Sequence, residues 1–363
     1  MSDGHDHDGS GGLDRGGGAG EHGDVMDSWD RDGGAGEHGD VVDSWDRDLL
    51  GGGADSEELA PAEAFSILAN ETRLAILREL WEVDEMMAYG ELRAAVAPDD
   101  RGNFHYHLGK LTDHFVRKRD DGYELRLAGE RVVRAVLSGT LTTDFSIPST
   151  PIDEQCAFCG APAEFSYAEE RVTVRCTDCG GVARGEFHDG TYMNHDFPPA
   201  GLDDRSPKEI VDAAHVLYDS KIAAMLKGVC PHCAGQTTVS HDVCDDHAVD
   251  ETGLCPHCDF RYAVWSTVEC DRCRYRRRPM VWFAALKHPA VISFLHDHGL
   301  DERLPFRKLT VENGHLIREV TTEVLERDPY LFAITIRIDD EALDLELAHD
   351  FSVRSVDRRS IDD

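Results

Sequence analysis

The chain has 363 residues, 41% of them hydrophobic, and 71 acidic residues against 37 basic ones give a formal charge of -34. That is enough apolar material for two or three compact units, and more than one small module needs. No run approaches 18 uncharged apolar residues, since residues 281–295 are broken by Lys287, His288 and Pro289, and no basic start leads into an apolar run. Neither membrane insertion nor secretion is expected.

Residues 1–55 are rich in Gly and Asp, and GGAGEHGDVMDSWDRD at 17–32 recurs at 33–48 with Met26 changed to Val42. Two near-identical copies suggest recent duplication rather than a solenoid, and the composition cannot bury a core, so a disordered acidic tail is expected. His5, His7, His22 and His38 are read as solvated, and Trp29 and Trp45 are candidate anchors for a partner.

In 56–147 a helical period appears through Phe65, Leu68, Leu74, Leu77, Leu80 and Trp81. Asn70 is a good N-cap for a helix over 71–82. Further helices fit 89–96 and about 102–115. The run VRKRDDGYELRL at 116–127 alternates around Asp121-Gly122, which predicts a hairpin, and a last helix fits 128–137. This is the element order of a winged helix-turn-helix.

Residues 148–151 read as a linker. Cysteine pairs then fill 148–200 and 201–280, interrupted by a helix with Ser206 as N-cap, Pro207 at its first position and Glu209 closing a capping box. Its face of Ile210, Ala214, Leu217 and Met225 is expected to pack between cysteine modules. In 281–363 a helix is predicted at 289–298 and strands at 331–338 and 342–347, as a small α/β unit.

The segment LANETRLAILREL at 68–80, followed by FHYHLGKL at 104–111 and VRKRDDGYELRL, resembles an ArsR-type winged helix over roughly 80 residues. The resemblance implies that the helix carrying His107, Leu108 and Leu111 lies in the major groove of double-stranded DNA. Arg101, Asn103, His105, Tyr106, His107 and Lys110 are the candidate contacts, with Arg117, Lys118 and Arg119 meeting the backbone at the foot of the wing. Metal-sensing members carry a cysteine pair in the preceding helix, and the stretch Glu91-Leu92-Arg93-Ala94-Ala95-Val96 has none. The resemblance therefore implies a regulator and not a metal sensor.

Ten of the 11 cysteines form five C-x-x-C pairs, which suits metal in a reducing cytoplasm better than secreted disulfides. Cys156, Cys159, Cys176 and Cys179 have zinc-ribbon spacing. Pairing by neighbours gives Cys230, Cys233, Cys244 and His247 as a second site, and Cys255, Cys258, Cys270 and Cys273 as a third. His241 is close enough to replace His247. Twelve ligands then make about three structural zinc sites per chain with no thiol left over. Full protein ligation leaves no open metal position, and H-E-x-x-H is absent, so no enzymatic activity is expected. Arg272, Arg274, Arg276, Arg277 and Arg278 form the most basic run, either a contact for phosphate or an acidic partner, or a patch offsetting nearby acids.

The acid is spread over the chain: the segments 1–55, 56–147, 148–280 and 281–363 carry -12, -6, -9 and -7. Such a surface resembles that of haloarchaeal proteins. At about 1 M salt the Debye length is roughly 3 Å, so net charge does not exclude DNA. The expected fold is a multidomain α+β chain: an N-terminal winged helix-turn-helix, zinc-ribbon modules with rubredoxin-like knuckles, and the C-terminal unit. The expected function is sequence-specific transcriptional regulation, as a homodimer with contact to the transcription machinery. The alternative is a polymerase-associated adaptor, because a winged helix followed by a zinc ribbon also resembles archaeal general transcription factor E.

Overall fold

The computed structural model describes residues 59–185, 188–300 and 320–361; the tail, with its repeat, four histidines and two tryptophans, lies outside the described residues. Caps set the first helices. After α1 (Pro61–Leu68), α2 (Glu71–Val83) begins where the Asn70 side chain accepts a hydrogen bond from Arg73 N at 3.2 Å. α3 (Tyr89–Val96) is closed at its start by the Glu91 carboxylate on Ala88 N, 3.1 Å. In α4 (Arg101–Leu111), Asp100 caps Asn103 N at 3.1 Å. This helix stops short of the expected end near residue 115, because Thr112 turns extended and Asp113 adopts a left-handed φ of 77°.

The hairpin of β1 (Val116–Lys118) and β2 (Tyr123–Leu125) follows, then α5 (Leu127–Leu137). Met87 bridges Tyr123, and a Cβ on Gly122 would sit 2.4 Å from the Met87 carbonyl oxygen, so the hairpin closes only on glycine. Ile76, Leu77 and Leu80 of α2 bury together with Leu92, Phe104, Leu108, Leu111 and Val133, with α2 against α3, α4 and α5. At about 1.5–3 kcal/mol for each fully buried aliphatic side chain, this stripe is what holds the four helices together.

The second part opens with an antiparallel meander: β3 (Ile147–Gln155), β4 (Pro162–Ala168), β5 (Arg171–Cys176) and β6 (Thr191–Asp196). Residues 148–151 are thus strand and not linker. β3 is an edge strand, where Pro148 and Pro151 remove no ladder bond from a central position.

α6 (Pro207–Met225) has the expected capping box, with Ser206 N donating to Glu209 at 2.8 Å. Its first half lays Ile210, Val211 and Ala214 on Phe165, Tyr167, Val172 and Val174 of the meander. Its second half delivers Ile222 and Met225 to a different core. That core holds Val264 and Val268 of the sheet β7 (Thr237–Val243), β8 (Val264–Cys270), β9 (Arg276–Arg277). It continues through Trp282 of a 3-10 turn, Phe294 of α7 (Pro289–Asp297), and Phe332, Ile334 and Leu345.

The last residues belong to the meander β10 (Val320–Arg327), β11 (Tyr330–Ile338), β12 (Glu341–Ala348), β13 (Val353–Ser360). One core therefore runs through segments separated in the sequence reading as 148–200, 201–280 and 281–363. Among the described residues all four small sheets are antiparallel, and the fold is mixed α+β.

Candidate metal centres and candidate nucleic-acid interface

Four of the five C-x-x-C segments fold into the same turn. The first cysteine's carbonyl accepts from the N–H four residues on: Gly160 to Cys156 at 2.9 Å, Ala234 to Cys230 at 2.9 Å, Asp259 to Cys255 at 2.8 Å and Arg274 to Cys270 at 3.0 Å. That donor residue is left-handed every time, with φ of 77°, 57°, 60° and 59°. The turn points both sulfurs inward and directs backbone N–H groups at them, as in Phe158 N to Cys156 Sγ at 3.4 Å and Cys273 N to Cys270 Sγ at 3.5 Å. Such donors favour thiolate. The Cys270 thiol is drawn down to about 7, first by the N–H of Cys273 and against burial.

Three groups of four ligand atoms result, all within 4.8 Å of one another in each group. The first is Cys156, Cys159, Cys176 and Cys179, with sulfurs 3.7 Å (Cys156–Cys179) and 3.4 Å (Cys159–Cys176) apart. Both separations are far beyond a disulfide bond. They are close to the roughly 3.8 Å edge of a tetrahedron with metal–sulfur distances of about 2.3 Å. In this group the Cys156 thiol is pushed up, first by its hydrogen bond with Cys179 and then by burial, while the same bond brings Cys179 down to about 5. Four thiols so close cannot all ionise unless a cation compensates them.

The remaining eight ligands do not pair by neighbours, and this corrects the expectation. Cys230 and Cys233 join Cys270 and Cys273, with sulfurs 3.5 Å apart in both Cys230–Cys273 and Cys233–Cys270; Cys244 and His247 join Cys255 and Cys258. The cause is the β7–β8 hairpin. Antiparallel pairing sets Thr237 opposite Cys270 and Val243 opposite Val264, so the outer two knuckles meet at its open end and the inner four ligands meet in its loop. Beside the outer group, a Cβ on Gly235 would lie 3.2 Å from the sulfurs of both Cys233 and Cys270, so a larger residue there would have to displace the ligands by a few tenths of an ångström.

His247 presents Nδ1 to Cys258 Sγ at 3.5 Å and holds Nε2 on the Arg261 carbonyl oxygen at 3.2 Å. A backbone acceptor on one ring nitrogen fixes the tautomer that leaves the other free to ligate. His241 is no substitute, since its Nδ1 meets Ser266 Oγ at 2.9 Å and its Nε2 the His349 carbonyl oxygen at 2.8 Å. The described cysteines are all free thiols, so the two all-cysteine groups and the group of three cysteines and one histidine can each hold a metal ion.

On α4, Asn103, His105, Tyr106 and Lys110 are exposed, Tyr106 by 54%. Lys110 Nζ stands 5.9 Å from the Tyr106 ring. His107 is different. It is only 6% exposed and accepts a hydrogen bond at Nδ1 from Arg73 Nε at 3.2 Å; burial and then Arg73 lower its pKa. His107 is thus a core residue of α4, and this corrects its place among the DNA contacts. The spacing Phe104, His107, Leu108, Leu111 is that of a buried helical stripe, so the signal was in the sequence. The Arg101 side chain lies outside those described.

Arg117 and Arg119 both pair with Glu124, at 3.2 and 2.8 Å, while Lys118 is exposed. In the arginine run, Arg276 and Arg274 pair with Glu269 at 2.7 and 3.6 Å, and Arg277 pairs with Asp196. No described helix is long and apolar enough to cross a membrane.

A family model described as Domain of unknown function (DUF7347) matches residues 61–136, the span of α1 to α5. No curated protein and no solved structure matches the chain. A second family model matches 153–353, more than half of the chain and the whole of the three metal-ligand groups. The chain therefore belongs to the family described as Domain of unknown function (DUF7351).

Proposed function

We propose that the chain is a sequence-specific, double-stranded-DNA-binding transcriptional regulator of ArsR-like winged-helix type, with zinc in its three ligand groups. The observation that carries this reading is α4. It buries Phe104, Leu108 and Leu111 and turns Asn103, His105, Tyr106 and Lys110 outward, a set of base-edge and phosphate donors with one aromatic. The helix is followed directly by a hairpin bearing Arg117, Lys118 and Arg119, the wing of this reading. Thiolate-rich groups with one imidazole suit zinc among the common divalent ions. Four protein donors per group suit a structural ion, and the reading assigns the chain no catalysis. A homodimer in the cytoplasm is the form in which it would read a two-fold site.

Genome-wide occupancy at native salt tests the reading, comparing the intact protein with a Tyr106→Ala/Lys110→Ala variant. A few sharp peaks, lost in the variant, are expected. One observation favours a second reading as a polymerase-associated adaptor: Glu124 already engages two of the three wing cations. Broad occupancy of active promoters, unchanged in the variant, would replace the first reading with the second.

A further inference from the structure

A cavity of about 260 Å³ lies where β5 and β6, α6, the first cysteine knuckle and the segment after Cys273 meet. Four arginines line it, Arg171, Arg276, Arg277 and Arg278, and among the described residues no carboxylate does. Such a lining is unusual in a chain of charge -34, where acids outnumber bases in every segment. The walls between the arginines are aromatic, formed by Phe158, Tyr192, Tyr218, Phe260, Trp265 and Phe283.

The positive charge is incompletely answered. Arg171 donates Nε to Asn194 Oδ1 and makes no ion pair among the described residues. Asp196 serves both Arg277 and Lys221, one carboxylate for two cations. Glu269 answers Arg276, at 2.7 Å. Arg277 is 13% exposed at its side chain, and among the described residues neither its Nε nor Thr191 Oγ1, also in the lining, has a hydrogen-bond partner. Burial, and then the charge of Arg171, bring the Arg277 pKa down to about 10, so the two guanidinium groups are near enough to oppose each other. A buried cation of this kind is stabilised by an anion that brings its own hydrogen-bond acceptors.

We propose that this cavity binds a small aromatic carboxylate, with the carboxylate on Arg171 and Arg277 and the ring among Phe158, Tyr192 and Trp265. Size agrees with the chemistry. An apolar cavity of roughly 150 Å³ takes up benzene, so the larger space here suits one or two fused rings with a short acidic arm. Pockets of this kind combine apolar walls with a few convergent polar groups. The site stands independently of the DNA-binding reading, since none of its residues lies in α1 to α5.

The test is titration calorimetry on the full-length, metal-loaded protein in molar KCl, with indole-3-acetate, phenylacetate, indole-3-acetamide, acetate and inorganic phosphate as probes. An aryl acetate is expected to bind, with the amide at least about tenfold weaker because the neutral group cannot answer two guanidinium charges. Acetate and phosphate are expected to bind at least tenfold more weakly than the aryl acetate, for want of a ring. Arg277→Met should lose at least tenfold in affinity while its metal content stays unchanged. Arg171→Lys is the second variant if Arg277→Met does not fold. No aryl acetate binding below millimolar concentration, equal binding of acid and amide, or equal binding of phosphate would each overturn the proposal.

Discussion

The sulfurs of Cys230 and Cys273 lie 3.5 Å apart although 43 residues separate them in sequence. Between them the chain runs up β7, around an inner ligand group and back down β8, so one group is nested inside the other. Ligand side chains tie each end of the hairpin, while Val264 and Val268 of β8 seat one of its faces in the shared core. A structural metal commonly supports small loop-rich elements in this way.

The nesting predicts which cysteines fail together. Replacing Cys233 and Cys270 by serine in one variant should remove a single ion, because both belong to one group. Replacing Cys233 and Cys244 should remove two. Pairing by neighbours reverses these results, and native mass spectrometry of the two double variants reads the difference directly.

His247 and His241 should separate in the same measurement. His247→Ala is expected to lower the metal count by one, since its Nδ1 is the fourth ligand atom of the inner group. His241→Ala should keep every ion. It should instead lose about 1–3 kcal/mol, because Ser266 loses a hydrogen-bond partner and the ring leaves its packing against Phe332, 4.9 Å between centroids. Metal loss in His241→Ala would refute the assignment.

The shared turn has a stability consequence. Ala234 holds a φ of 57°, a left-handed conformation that costs a residue with a Cβ about 1–2 kcal/mol and glycine almost nothing. Glycine gives back about 0.5–1 kcal/mol through its freer unfolded chain. Ala234→Gly should thus raise stability slightly, by up to about 1 kcal/mol. Gly160→Ala, at the matching turn with φ of 77°, should lower it. Thermal denaturation of both variants with metal in excess checks the pair, and a rise in Tm for Gly160→Ala would sink the argument.

Much of this was legible in the residues. The caps at Asn70, Ser206 and Glu209 and the period of α2 are local signals, and they place helices to within a residue or two. The ligand set was legible too, because C-x-x-C spacing is set by one turn. Its grouping was not, since that depends on which strands pair, and β7 reads TTVSHDV with no strong apolar alternation. β10 and β13 escaped for a related reason: as outer strands of the last sheet they bury little, and β13 is almost wholly exposed. The cavity had no sequence signature. Its arginines at 171 and 276–278 come together only through the packing of two sheets and a helix.

One of the two histidines in that cavity wall gives the last prediction. His195 stacks on Tyr218 with centroids 4.0 Å apart and planes within 9°, and burial lowers its pKa to about 3, helped by the charges of Arg277, Arg171 and Lys221. In the unfolded chain it titrates near 6.5. The folded state therefore refuses a proton that the unfolded state accepts, and the associated stability is complete above about pH 6.5 and lost progressively toward pH 3. One such group makes stability fall by about 1.4 kcal/mol per pH unit within that window. His195→Phe keeps an aromatic ring against Tyr218 and cannot titrate. Its stability, measured by urea unfolding between pH 7 and 5 with metal retained, should fall less steeply than that of the unaltered chain by up to that amount. Equal slopes would mean that His195 is reached by solvent protons in the folded protein, and that the wall it forms is open.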